Sequence, residues 1–198
     1  MSGLRITGGT LKGRRVDVPT GDFEIRPAMD RMRESLFSIL GPLDGRSFLD
    51  LFSGSGILAL EAASRGASPV TCVERDRAKL GLLIRNVSMA TERIDCHCVP
   101  VERFVLRCER SYSIVFCDPP FPYVHKAELV RSIANRELVE AGGLLLIHYP
   151  SEDVLPESHG DLSMTDERSY GRSTVRFYTR GTGADASAIQ GPDDPEQP

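Results

Sequence analysis

Between residues 47 and 148 the chain alternates short apolar runs with longer amphipathic stretches. Apolar runs at 47–51, 70–74, 94–99, 113–117 and 143–148 have the length and composition of buried strands. Stretches near 57–65, 77–90, 101–109 and 125–139 repeat their apolar residues at helical spacing. Strands that are apolar on both faces and separated by helices predict an α/β fold with a parallel sheet covered on each side.

The two ends of the chain follow other patterns. Residues 3–18 alternate as Leu4-Arg5-Ile6 and Arg15-Val16-Asp17-Val18 around Gly8, Gly9 and Gly13, which predicts a small β-hairpin. After a loop, Pro27 suits a first helical turn; Met29, Met32, Leu36, Phe37 and Leu40 continue at helical spacing until Gly41-Pro42 stops the helix. Runs near 161–168 and 173–179, with Tyr170-Gly171 between them, predict an antiparallel hairpin closing the sheet. The expected organisation is an N-terminal hairpin and helix over 1–40, a main domain over 41–180 and a disordered acidic tail over 181–198.

Charge changes this picture little. The net formal charge is -4, and all of it resides in the tail, where Asp185, Asp193, Asp194 and Glu196 stand without a Lys or Arg. The first 33 residues carry seven basic side chains against four acidic ones, a balance that permits a nucleic-acid partner. No run approaches the roughly eighteen apolar residues of a membrane span, and MSGLRITGG has no apolar signal segment, so a cytoplasmic protein is expected. The five cysteines are odd in number, and Cys96-His97-Cys98 lacks zinc-ribbon spacing; no metal site is expected.

Two strand ends carry candidate chemistry. The first reads Asp50-Leu51-Phe52-Ser53-Gly54-Ser55-Gly56, a strand running into a glycine-rich turn and then a helix. Ligands in open α/β sheets bind outside the carboxyl ends of the strands. Glu74 ends the next strand, twenty residues past Gly54, a spacing suited to a carboxylate that accepts from two ribose hydroxyls. GSGILA also fits a nicotinamide-dinucleotide pattern, but Asp50 would repel a pyrophosphate and suit a cationic amino group. S-adenosylmethionine (SAM) has that amino group and a ribose and lacks phosphate.

The second reads Ile114-Val115-Phe116-Cys117-Asp118-Pro119-Pro120-Phe121. The prolines restrict the backbone behind Asp118, so the loop aims its carboxylate, with the Pro119 carbonyl, at one point. Phe121 adds an aromatic face. Two acceptors beside such a face suit an exocyclic amine on a stacked nucleobase.

With both sites in view the sequence resembles a known family. DPPF matches the Asp/Asn-Pro-Pro-Tyr/Phe motif of amino-group methyltransferases, and DLFSGSG their SAM-binding motif. RITGGTLKGRRVDVP, RPAMDRMRESLF, DLFSGSGILALEAASRGA, VERD and DPPF, in that order over roughly residues 4–180, resemble the RsmD-like family of bacterial 16S ribosomal RNA (guanine-N2) methyltransferases. The resemblance implies a Rossmann-like SAM-dependent methyltransferase fold, with a mostly parallel seven-stranded sheet. It implies a SAM pocket lined by Asp50, Ser53, Gly54 and Gly56, with Glu74 on the ribose. Asp118, Pro119, Pro120 and Phe121 would form the target-base site, and Arg26, Asp30, Arg31 and Arg33 would lie beside cofactor and substrate. The implied partner is 16S ribosomal RNA within an assembling small subunit.

Two places depart from the family pattern. The loop after the third strand reads Val99-Pro100-Val101-Glu102, and the fifth strand ends His148-Tyr149-Pro150-Ser151-Glu152 where glutamate is usual. Arg5, Lys12, Arg14 and Arg15 on the hairpin are expected to meet RNA phosphates, against the alternative of a solvated face. Arg168, Arg172, Arg176 and Arg180 recur every four residues, which on a strand puts them on one face. An adenine-N6 methyltransferase and a nicotinamide-dependent dehydrogenase stand as alternatives.

Overall fold

A computed structural model describes residues 4–18 and 27–182, with only the backbone for residues 27–29. Arg26, the Met29 side chain and residues 183–198 of the expected acidic tail lie outside the described residues. In chain order the elements are β1 (Leu4–Arg5), β2 (Arg15–Val16), α1 (Pro27–Leu40), β3 (Phe48–Leu51), α2 (Ile57–Ser64), β4 (Val70–Val73), α3 (Arg77–Val87), β5 (Ile94–His97), α4 (Val101–Arg107), β6 (Tyr112–Cys117), α5 (Lys126–Asn135), β7 (Val139–Pro150), β8 (Ser158–His159), β9 (Leu162–Tyr170) and β10 (Ser173–Arg180).

The main sheet has the order β5-β4-β3-β6-β7-β10-β9-β8. Its first five strands are parallel, and β10 inserts antiparallel between β7 and β9. This is the Rossmann-like arrangement, with one strand more than the seven expected. The extra strand, β8, pairs only Ser158 and His159 with β9, too short a run to leave a hydrophobic period in the sequence.

Strands β3, β4 and β6 are buried almost throughout, which is why they read as continuous apolar runs. One core lies between the sheet and α1, α2 and α3; a second lies between the sheet and α4 and α5. The N-terminal hairpin belongs to the first core, where Ile6 and Val16 are almost wholly buried. On α2, the fully buried Glu61 accepts from Thr7 twice, through the backbone N–H at 2.7 Å and Oγ1 at 2.9 Å, and meets Arg33 Nε at 3.2 Å. Arg33 also donates to the Arg5 carbonyl at 2.9 Å, so the hairpin, α1 and α2 share one polar network.

Two expectations need correction. The helix expected over 125–139 ends at Asn135, because Glu137 takes a left-handed φ of 51° and Leu138 and Val139 belong to the sheet side of the core. The strand expected from 143 begins at Val139, and Gly142-Gly143 is an irregularity within it. A Cβ on Gly143 would come within 2.8 Å of the Ser113 carbonyl, so the glycine marks a close strand approach. The arginine series of the last hairpin divides: Arg168 and Arg172 are exposed, while Arg176 and Arg180 are held by the fold. Arg176 holds Glu167 at 2.6 Å and the Leu155 carbonyl at 2.9 Å, and Arg180 holds Glu137 at 2.9 Å.

Candidate active site

Asp50, Glu74, Asp118 and His148 meet at the carboxyl edge of the sheet because four neighbouring parallel strands end in register. Leu51 pairs with Val73 on one side and Cys117 on the other, Cys117 pairs with Ile147, and the Asp118 N–H continues the ladder to the Leu51 carbonyl at 3.2 Å.

Asp50 is fully buried, and neither carboxylate oxygen makes a hydrogen bond of good geometry. Burial pushes its pKa well above the ordinary carboxylate value, and the charges of Asp118 and Glu74 add to the rise. The Ala59 N–H at the start of α2 and the Ser53 hydroxyl offset this only in part. A buried carboxylate without a partner, beside two others, forms a receptor for a cationic or hydrogen-bond-donating group.

The glycine-rich turn serves two ends. Gly56 has φ 79°, and a Cβ there would approach Leu83 to 2.6 Å and Val87 to 3.0 Å, so it lets the turn pack on α3. Gly54 has φ 54°, and a Cβ built there would meet nothing closer than the Phe52 carbonyl at 3.9 Å, so there is open space beside the turn. Ser53 donates to the Asp50 carbonyl at 2.7 Å and accepts from the Val73 N–H at 3.0 Å. Its hydroxyl therefore ties β3 to β4. Glu74 is held by the N–H groups of Gly54 at 2.9 Å and Asp76 at 2.8 Å, one to each oxygen. Each oxygen keeps a second lone pair for a hydroxyl.

On the other side of β3, Asp118 has a 26% exposed side chain, and its Oδ1 lies 2.8 Å from His148 Nδ1. Pro119 is buried and Pro120 exposed. Phe121 is 41% exposed, with its ring edge-on to His148 at 5.6 Å. The basic residues proposed for RNA are spread more widely. Lys12, Arg14 and Arg15 are exposed on the hairpin, and Arg31 is exposed on α1. Arg5 is exposed but bends back to the Gly13 carbonyl at 2.8 Å.

Several supporting residues escape a sequence reading. Asn86 on α3 is buried; its amide accepts from the Asp17 N–H at 3.2 Å and donates to the carbonyls of Asp17 at 2.9 Å and Ser55 at 2.8 Å. It therefore fixes the end of the hairpin beside the glycine-rich turn. Lys126, 3% exposed, spends its three hydrogens on the carbonyls of Phe121 at 2.8 Å and Tyr123 at 2.6 Å and on Asp153 at 2.7 Å, which locks the loop after β6. Phe52, at φ 67°, places its ring 5.2 Å from that of Tyr123 and joins the two loops. A bulky residue in that backbone region is strained, a condition that clusters at functional sites. The one signal open to sequence was that the fifth strand ends in the segment beginning at His148 where the family often runs into glutamate.

A cavity of about 870 Å³ lies at the opposite end of the strands, lined by Gly9, Phe37, Asp44, Arg65 and Glu92. It contains none of the expected site residues.

Comparison with known proteins bears on this edge. The Escherichia coli (strain K12) ribosomal RNA small subunit methyltransferase D is 31% identical over 190 residues, 93% of this chain and 94% of that protein. YlbH of Bacillus subtilis (strain 168) is 32% identical over 183 residues, 89% of this chain and 99% of that protein. The solved structure of Escherichia coli yhhF superposes with a TM-score of 0.80 at 31% identity, covering 91% of this chain and 99% of that one. The model of the family described as conserved hypothetical protein 95 matches residues 4–179, and the chain belongs to that family, the RsmD-like group whose motifs it carries.

Proposed function

We propose that this protein transfers a methyl group from SAM to the exocyclic N2 amine of a guanine in small-subunit (16S) ribosomal RNA. One observation carries the reading: a partly exposed Asp118 stands at the same strand edge as Asp50, a fully buried carboxylate without a partner. Asp50 suits the amino group of the methionine moiety, and Glu74 suits the ribose hydroxyls. Three carboxylates at one edge favour a ligand carrying positive charge and oppose the pyrophosphate of a nicotinamide dinucleotide. SAM supplies a methyl group already activated on a sulfonium, so alignment is the main task left to the protein.

At the target, Asp118 accepts a hydrogen bond from one N–H of the amine, and Phe121 stacks on the base. The nitrogen lone pair forms the new bond to carbon as the carbon–sulfur bond breaks, and that electron pair stays on sulfur. The developing positive charge on nitrogen is favoured by Asp118, and one amine hydrogen then leaves as a proton. The guanine must be unpaired or flipped out for N2 to be reached, a state an assembling small subunit offers. Ribosomal RNA is favoured by the name of the Escherichia coli relative and by exposed Lys12, Arg14 and Arg15.

Mass spectrometry of 16S ribosomal RNA from cells with and without the gene tests this. The expected result is the loss of one N2-methylguanosine in the deleted strain, restored by purified protein and SAM. An unchanged modification profile overturns the proposal.

A further inference from the structure

His148 has no part in the chemistry so far, yet its place is unusual for a histidine. It lies on β7, one residue beyond Ile147, the register partner of Cys117, so it stands beside Asp118 at the next rung. Its ring is fully buried, with Val175 opposite it on β10 and the Phe121 ring 5.6 Å away. Nδ1 lies 2.8 Å from Asp118 Oδ1, and Nε2 is buried without a partner.

The tautomer follows from those contacts. An ionised carboxylate only accepts, so the contact requires a hydrogen on Nδ1. A hydrogen on Nε2 instead would bury a donor without an acceptor and set the Nδ1 lone pair against the carboxylate. The arrangement is therefore polar at one atom only, and that atom meets Asp118.

We infer that His148 is a positioning residue for methyl transfer: it donates Nδ1–H to one oxygen of Asp118, fixes the carboxylate's rotation at the end of β6 and leaves the other oxygen for the target amine. This rests on the reading of Asp118 as the amine acceptor. A carboxylate following a strand end is otherwise free to turn about its side-chain bonds. Misplacing an acceptor by a fraction of an ångström weakens the alignment on which this reaction depends.

Two substitutions separate hydrogen bonding from packing. His148→Asn keeps an N–H donor near the Nδ1 position; His148→Leu keeps apolar bulk and removes the donor. Loss of a hydrogen bond to a charged group predicts that His148→Leu lowers kcat at least about tenfold. The KM for SAM and SAM affinity by calorimetry should be unchanged in both variants, and His148→Asn should recover most of the lost turnover. Equal losses in the two variants, with SAM binding intact, overturn the inference in favour of packing.

A second measurement needs no turnover. Long-range proton–nitrogen spectra of the parent's four histidines should show His148 as the Nδ1–H tautomer, disturbed by Asp118→Ala. An Nε2–H tautomer in the parent overturns the inference. Should the parent fail to methylate 16S ribosomal RNA, the proposed function falls and the spectra still decide the histidine's geometry.

Discussion

Asp50 and Glu61 are both fully buried carboxylates on neighbouring elements, and they differ in the partners they find. Glu61 gathers Thr7, Arg33 and Arg65 around it, with Arg65 Nε 3.5 Å from its second oxygen. Asp50 has no hydrogen bond of good geometry at either oxygen. Burying charge is tolerable only when partners replace water. Glu61 finds its partners inside the fold and fastens the N-terminal hairpin to α2. Asp50 does not, and its raised pKa records the cost. The first carboxylate explains how the extension is held; the second marks where the protein is built for something outside itself.

The contrast is sharpest if Glu61 is removed. Glu61→Ala leaves Arg33, 4% exposed, without its partner on α2 and removes the oxygen that accepts both Thr7 hydrogen bonds. Breaking a buried pair from one side costs about 3–5 kcal/mol. Urea denaturation should report a loss of that size, and Glu61→Gln, which keeps an acceptor, should lose less. Deleting residues 1–18 should be worse still, since it strips Ile6, Leu11 and Val16 from the core and removes the hydrogen bonds between Asn86 and Asp17. The hairpin precedes the sheet in the chain, yet its buried side chains share the first core. A Glu61→Ala protein as stable as the parent would break the comparison.

Asp118→Ala tests the functional side. It should lower turnover by at least about a hundredfold, because it removes the group proposed to meet the reacting amine. SAM affinity, measured by calorimetry, should hold. A parallel fall in SAM affinity would move Asp118 into the cofactor site and erase the division between the two loops.

Asp50 predicts opposite signs for binding and stability. Asp50→Asn should weaken SAM roughly ten- to a hundredfold, the worth of a hydrogen bond to a charged partner. Its effect on folding follows from linkage. The folded pKa lies above the unfolded value of about 3.9, so the native state keeps this proton while the unfolded chain has lost it. Stability contributed by this group is present below about pH 4 and is lost as pH rises toward the folded pKa. The variant lacks that loss, so its stability relative to the parent should improve as pH rises from about 4, then level off. Urea midpoints across pH would show it. A pH-independent difference would mean that Asp50 titrates alike in both states.

The sequence made the architecture readable because parallel strands buried on both faces leave continuous apolar runs, as in β3, β4 and β6. It failed where an apolar pair fits two elements, as with Leu138-Val139, and where Gly142-Gly143 marks a close strand approach instead of a turn. Asp118 was legible because a carboxylate stops an apolar run abruptly, and Asp50 because a lone carboxylate interrupts an apolar strand just before a glycine-rich turn. Their supports were not. Asn86 and Lys126 sit on helix surfaces by every local rule, and only the tertiary fold buries them. Nothing local says that a lysine will find three acceptors, two of them carbonyls of the loop that precedes its own helix.

The smallest effect concerns the basic residues, where the same contrast returns with the sign reversed. Arg33 is buried and partnered, while Lys12, Arg14 and Arg15 stand exposed on the hairpin. Arg5 is set aside because it holds the Gly13 carbonyl within the hairpin. Changing Lys12, Arg14 and Arg15 together to Gln removes charge without touching Ile6, Leu11 or Val16. Stability and SAM affinity should stay within about 0.5 kcal/mol of the parent, as for surface substitutions generally. RNA binding should weaken, and the slope of log K against log salt should flatten by about 0.7 for each phosphate that is no longer neutralised, the single-strand value. Filter binding across a salt series reads both quantities. An unchanged slope would return these side chains to an ordinary solvated face and move RNA recognition to another surface. A reduced slope with normal SAM binding would place phosphate binding on the hairpin that Glu61 holds in place.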